Sequence, residues 1–178
     1  MTSTALIVEV PESEAIVSQY RLKFDEVASR GIPAHITILF PFIPIEGISE
    51  SLVDELQSLF RETNVFPFQL SSWERFDTAL WLRPFPEDPF RQITEKIYER
   101  FPDYPPYEGK HTEIQPHLTV AQFTPADSQN PEWNQIEQST QAELPIECVA
   151  KGLSLYICDQ AGYWKRHLSI PFVDIESI

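Results

Sequence analysis

The strongest constraint on the fold of this chain is a short pattern written twice. Residues 34–42 (AHITILFPF) place His35 and Thr37 at alternate positions of an otherwise apolar run, and residues 116–123 (PHLTVAQF) do the same with His117 and Thr119. A β-strand sends successive side chains to opposite faces. His35, Thr37 and Leu39 would therefore share one face and Ile36, Ile38 and Phe40 the other, and His117 and Thr119 would stand against Leu118 and Val120 in the same way. Two such copies with apolar residues at all four alternate positions arise by chance about once in a thousand. The apolar faces should pack on helices. The polar faces must find partners or line a cleft, because burying unsatisfied polar groups is costly.

The rest of the chain reads as a frame for these two stretches. A strand over Thr4–Val10 leads to a helix expected from Glu12 to Arg30, marked by Ile16, Tyr20, Phe24 and Val27 at helical spacing and closed by Gly31. After the first motif strand, Ala34–Phe40, and a loop containing Pro41, Pro44 and Gly47, a second helix is expected over Ser49–Thr63. Ser51 and Asp54 stand there at capping-box spacing, and Leu52, Leu56, Leu59 and Phe60 form one face. Strands at Val65–Phe76 and Thr78–Arg83 turn about Asp77, and Asp88-Pro89 start a third helix marked by Phe90, Ile93, Ile97 and Phe101. The proline-rich run 102–116 reads as a loop delivering the second motif strand, Gln115–Phe123. Asn130-Pro131 open a fourth helix with Trp133, Ile136 and Thr140, and strands at Ile146–Cys158 and Tyr163–Ile170 follow.

In letters the order is βαβαβ, βαβαβ, then one β. From His35 to Val65 is 30 positions and from His117 to Ile146 is 29; Trp81 and Trp164 lie 46 and 47 positions after their respective histidines. The expectation is an α+β fold in which residues 1–178 form a single bilobal domain. Its duplicated βαβαβ units, about 1–76 and 77–178, would be related by a pseudo-two-fold axis that brings the motif strands together.

Charge narrows the partners. With 27 acidic against 13 basic residues the formal net charge is −14. Such a field repels polyanions, and the longest basic run is Lys165-Arg166. Long-tract nucleic-acid binding, which depends on cations replacing counterions along the backbone, is not expected. A small nucleotide or a nucleic-acid end asks for only a few local contacts. No stretch reaches membrane-spanning length. Cys148 and Cys158 read as reduced core residues, not a disulfide. A cytoplasmic, monomeric protein without membrane contact is expected.

Two imidazoles facing one cleft suit a displacement in which one takes a proton from the attacking oxygen and the other gives one to the leaving oxygen, since histidine titrates near neutrality. A threonine hydroxyl beside each can donate to a non-bridging phosphoryl oxygen. Two such pairs would grip a phosphodiester from both sides with no metal and no cofactor. Here the chain resembles the two-histidine (2H) phosphoesterase superfamily, which includes the 2′-5′ RNA ligase-like proteins and cyclic phosphodiesterases. The resemblance rests on His35-Ile36-Thr37-Ile38, His117-Leu118-Thr119-Val120 and the closing Gly162-Tyr163-Trp164 strand ending in Pro171-Phe172. It implies a bilobal fold with mainly antiparallel sheets around a central cleft, and metal-independent cleavage of 2′,3′-cyclic phosphates or 2′-5′ linkages. It gives His35 and His117 acid-base roles and makes Thr37 and Thr119 phosphate ligands. The bacterial RNA-ligase-like branch often carries an arginine before the second motif and Phe-Leu-Gly after the first, where this chain has Gln115 and Phe40-Pro41-Phe42.

Further candidates are weaker. Lys151 could reach a phosphate. Phe42, Phe123 and Tyr107 near the motif ends, with Phe40 and Tyr104, could stack on a base. His111 reads as a solvated loop residue and His167 as structural or exposed. Two other functions compete: a nucleotide-binding module that keeps the cleft without turnover, and a metal hydrolase drawing on His35, His111, His117 and His167. The second lacks acidic ligands at a metal-binding spacing.

Overall fold

The computed structural model describes residues 3–110, 113–124 and 131–174. Among these residues eight strands form two antiparallel four-stranded sheets. The first has the order β2-β1-β7-β8, built from β2 (His35–Leu39), β1 (Ser3–Glu9), β7 (Gly152–Cys158) and β8 (Trp164–Pro171). The second runs β5-β4-β3-β6, from β5 (Leu118–Gln122), β4 (Ala79–Phe85), β3 (Phe66–Phe76) and β6 (Ile146–Ala150). Each motif strand is the outer strand of its sheet, and β2 and β5 lie against one another. The α+β architecture with mainly antiparallel sheets is as the duplicated pattern leads one to expect.

The boundary expected near residues 76 and 77 does not separate the sheets. It falls inside a hairpin, because β3 and β4 pair from Phe76 with Ala79 through to Gln69 with Phe85. The expected strand Ile146–Cys158 is in fact two. β6 pairs with β3 in the second sheet; the chain then steps across at Lys151, and β7 pairs with β1 in the first. Gly152 makes the step possible, since a Cβ there would collide with the carbonyl oxygen of Ile170. The sheets therefore interlock: β7 and β8, late in the chain, complete the sheet that β1 and β2 begin.

Helices fill the space behind the sheets. α3 (Glu50–Phe60) buries Leu52, Leu56 and Phe60, but its cap is Ser49, whose Oγ accepts from the Leu52 amide at 3.2 Å, and not Ser51. α4 (Asp88–Arg100) buries Phe90, Ile93, Thr94 and Ile97 and packs on β2. α5 (Pro131–Thr140) buries Trp133, Ile136 and Thr140. The long first helix expected over Glu12–Arg30 is broken. α1 (Glu14–Phe24) stops where Asp25 turns extended (φ −122°, ψ 103°), and a single turn, α2 (Glu26–Ser29), follows. Its most buried side chains are Val17 and Arg21, one residue round from the stripe of Ile16, Tyr20 and Phe24.

One continuous core joins the apolar faces of both sheets, including Val8, Ile36, Ile38, Leu82, Leu118 and Val120. Each fully buried side chain of this size stabilises by about 1.5–3 kcal/mol. That anchorage fixes the motif strands while their opposite faces stay polar. Cys148 and Cys158 are buried free thiols, and burial pushes Cys148 up to about 12. No helix among the described residues is long and apolar enough to cross a membrane.

Candidate active site

The alternation expected of the two motifs is present over His35–Ile38 and His117–Val120, but it fails at the end of the first: Leu39, expected on the polar face, is buried in the core, and Phe40, expected inward, is 37% exposed, because the β1–β2 register shifts there. Ile36, Ile38, Leu118 and Val120 are buried, whereas His35, Thr37, His117 and Thr119 are partly open. Pairing sets their neighbours. Across from His35 stands Glu9 and across from Thr37 stands Ile7; across from Thr119 stands Trp81. Facing residues of an antiparallel pair share a face, so Glu9 and Trp81 line the motif side of their sheets.

The two histidines are held by the same local device. His35 Nδ1 lies 2.8 Å from the carbonyl oxygen of Pro33, and His117 Nδ1 lies 2.7 Å from that of Gln115. A carbonyl only accepts, so Nδ1 carries the hydrogen in each ring and Nε2 is the nitrogen through which a proton can be exchanged. In both cases the partner is two residues earlier, so each motif orients its own imidazole. The Thr37 and Thr119 hydroxyls are committed to no hydrogen bond with another described residue.

The surroundings of the two rings differ. His35 is pushed down to about 4, chiefly by loss of water around the ring. The Pro33 hydrogen bond opposes this, and the positive charges of Arg21 and His117 add to it. His117 is hemmed by rings: Phe76 at 5.1 Å, Trp81 at 5.6 Å and Tyr107 at 6.5 Å between centroids. Phe76 and Trp81 also stack on each other at 4.8 Å.

Of the weaker candidates, the structure brings Tyr107 to the motifs. Its ring lies nearly parallel to that of His117, and its amide donates to the Phe40 carbonyl at 3.0 Å, so it touches the ends of both motif stretches. Burial raises its hydroxyl to about 12. Tyr107 and Glu108 have φ of 52° and 58°, a left-handed pair that costs each residue about 1–2 kcal/mol and positions the ring. Phe42 is a core residue: it is 4% exposed and packs edge-on against Phe101 and Tyr104, with only its margin on the cavity that Phe40, Tyr104 and Glu108 line. Phe123 is occupied too, stacked on Trp133 at 4.4 Å and near Phe24 at 5.4 Å. Lys151 lines a depression of about 240 Å³ with Glu9, Ser154 and Arg166, at the step between the sheets. His167 borders a separate groove beside α3. His111 lies outside the described residues.

Three neighbours escaped the reading of the sequence. Trp81 reaches His117 through the β4–β5 pairing, and Phe76, the last residue of β3, by stacking on Trp81 across the β3–β4 hairpin, neither of which a local pattern reveals. Glu9 lies opposite His35, and its Oε1 accepts from Ser154 Oγ at 2.7 Å, Tyr156 OH at 3.2 Å and an Arg166 guanidinium nitrogen at 3.3 Å. Three donors converging on one oxygen fix the position of this side chain. Among the described residues no group of three or more His, Cys, Asp or Glu is placed to hold a metal ion.

This architecture is shared with solved structures. E. coli LigT complexed with 3′-AMP superposes with a TM-score of 0.61 at 12% sequence identity, covering 97% of this chain and 98% of that one. Its apo form gives 0.63 at 15% identity over 97% and 98%. The protein TT0787 of Thermus thermophilus gives 0.58 at 15% identity over 96% and 97%. At such identities the likeness is one of fold. No curated protein matches the chain in sequence. The sequence profile of one family does match, over residues 9–162 and with both histidine motifs inside it, and the chain belongs to the 2′-5′ RNA ligase superfamily.

Proposed function

We propose that this protein is a metal-independent phosphodiesterase that hydrolyses a 2′,3′-cyclic phosphate or a 2′-5′ linked nucleotide. The observation that carries the reading is the pair of equivalent imidazoles, each donating through Nδ1 to the carbonyl two residues back and each followed by a hydroxyl on the same face. In the reaction, water attacks phosphorus while one Nε2 takes its proton. The bond from phosphorus to one ribose oxygen breaks, and the other Nε2 protonates that oxygen, leaving a nucleoside monophosphate and a free hydroxyl. Thr37 and Thr119 donate to the non-bridging oxygens, whose charge shifts in the transition state. No metal ion has a step in this scheme.

E. coli LigT has been seen with 3′-AMP, NADP+ and ATP, which supports a small nucleotide as the substrate class. The acidic charge supports the same limit, favouring a small molecule or a nucleic-acid end over a long strand. Tyr107 is the candidate ring for contact with the substrate.

The test is a product-resolved assay of 2′,3′-cyclic nucleotides and 2′-5′ dinucleotides with wild type, His35→Ala and His117→Ala. Turnover by wild type and a loss of at least about a hundredfold in each variant is expected, in line with removal of a general acid or base. Turnover unaffected by both substitutions refutes the acid-base roles. Saturable binding of 3′-AMP by calorimetry without any product would instead make the protein a nucleotide-binding module.

A further inference from the structure

α1 carries a buried ion pair that the phosphodiesterase reading does not use. Arg21 and Asp25 are each 2% exposed, with a guanidinium nitrogen 3.0 Å from Oδ2. Asp25 is the residue at which the helix breaks, and its extended backbone lets the carboxylate turn back toward Arg21. Burial pushes the Asp25 carboxyl up, and the Arg21 charge and hydrogen bond oppose that shift. Arg21 Nε has no hydrogen-bond partner among the described residues.

Such a pair is a poor way to gain stability. Taking both ions out of water costs several kcal/mol, and well-packed apolar replacements of similar volume are often neutral or better. What this pair does have is position. A second guanidinium nitrogen of Arg21 approaches the Ile32 carbonyl oxygen at 3.5 Å, and Gln122 Nε2 donates to Asp25 Oδ1 at 3.2 Å. Ile32 lies three residues before His35; Gln122 is the last residue of β5, the strand that His117 precedes. The backbone between Ile32 and His35 is fixed at each step. The Ala34 amide donates to Glu14 Oε1 at 2.6 Å, the Ala34 carbonyl accepts from Val10 at 2.8 Å, and the Pro33 carbonyl accepts from His35 itself. Glu14 and Arg21 stand two helical turns apart on α1, and that helix packs against β5.

We infer that the buried Arg21–Asp25 pair is a positioning device for the reaction proposed above: it ties the segment that orients His35 to the end of β5, and so sets the two imidazoles in mutual register. Arg21 and Asp25 do not touch substrate. They act through Ile32 and Gln122, with α1 as the strut between the motif strands. The inference rests on the acid-base reading for its kinetic consequence, but its structural content is independent of turnover.

The decisive variant is the double replacement Arg21→Met with Asp25→Leu, which removes both charges together and leaves no orphaned ion. Three quantities are measured against wild type: the melting temperature, kcat and KM on a 2′,3′-cyclic nucleotide, and the long-range ¹H–¹⁵N correlations of the histidine rings, which report which nitrogen carries the hydrogen. A folded double variant is expected to lose kcat by about ten- to a hundredfold with KM within about threefold of wild type. The His35 ring is expected to leave the single Nδ1–H form for a mixture. Unchanged kcat and unchanged ring signals in a folded variant overturn the inference, as does a loss of kcat with the His35 signals intact. If the double variant does not fold, Gln122→Met severs only the tether to β5 and carries the same expectations at smaller size. If wild type turns over no cyclic nucleotide, the phosphodiesterase reading fails, and the ring correlations of the same variants still decide whether the pair sets the histidines.

Discussion

Acidification from pH 7 to pH 4 should destabilise this protein through His35, and the amount can be worked from the structure. In the folded chain the ring is held to about 4, against an ordinary value of 6.5, mainly because it has lost its water. In the unfolded chain it returns to that ordinary value. Between those limits the unfolded state binds the extra proton, so stability rises with pH through this window. The contribution is fully present above about 6.5 and is lost as pH falls toward 4. At 1.36 kcal/mol per pKa unit the ceiling is about 3 kcal/mol. The ring is still partly open to solvent, which places the expected value below that ceiling. The assay is urea denaturation at half-unit steps from pH 7.5 to 4, for wild type and His35→Gln. The glutamine amide can still donate to Pro33 but does not titrate, so the difference between the two curves isolates His35 from the many carboxylates. A companion NMR titration of the His35 Cε1–H signal should have its midpoint near pH 4. A midpoint near 6.5, or parallel stability curves, would refute the claim that the ring is desolvated in the folded state.

Other consequences are simpler to state. Phe42→Ala should cost about 3–5 kcal/mol by urea denaturation, because it empties core volume beside Phe101 and Tyr104. Phe40→Ala, at a residue 37% exposed, should change stability by less than about 1 kcal/mol; the reverse ranking would show the burial assignments to be wrong. Phe76→Ala removes one of the rings confining His117. It should lower kcat on a cyclic nucleotide by about tenfold while the melting temperature moves little, and unchanged kcat would show that the aromatic surround does not hold the imidazole. Gly152→Ala should destabilise by about 1–3 kcal/mol in a thermal melt, since the new methyl meets the Ile170 carbonyl at the step between sheets. A neutral result would mean that this step is free to relax.

How far the molecule could be read from its sequence follows from the range of the forces involved. The period of two at Ile36, Ile38, Leu118 and Val120 is a local property of strands, and these residues are buried as the alternation requires. The helix starting at Pro131 with Trp133 and Ile136 inward is equally local. Where the reading failed, a distant partner decided the outcome. Helical spacing continues through Asp25 in the sequence, yet the chain breaks there because a buried carboxylate meets Arg21 and Gln122. Strand-forming residues stand on both sides of Lys151 and Gly152, but the two ends of that run belong to different sheets. Phe42 and Phe123 have the residue type of a base-stacking surface and the surroundings of a core, and type alone does not distinguish them. Phe76 and Trp81 acquire a place beside His117 only through strand pairing, a non-local choice.

The interlocked sheets bear on how the protein is made. During synthesis both motif histidines have been added by residue 117, but β1 then has a partner on one side only; the other, β7, arrives at residues 152–158. Until then a strand of sequence STALIVE presents a row of unpaired amides and carbonyls along an apolar ribbon, the kind of edge that recruits foreign strands. Closing the sheet joins segments about 150 residues apart, which makes it a late event in folding and one sensitive to anything that delays the synthesis of β7. A truncation that spares both motifs but removes β7 should therefore yield aggregates of the nascent product and no half-active protein.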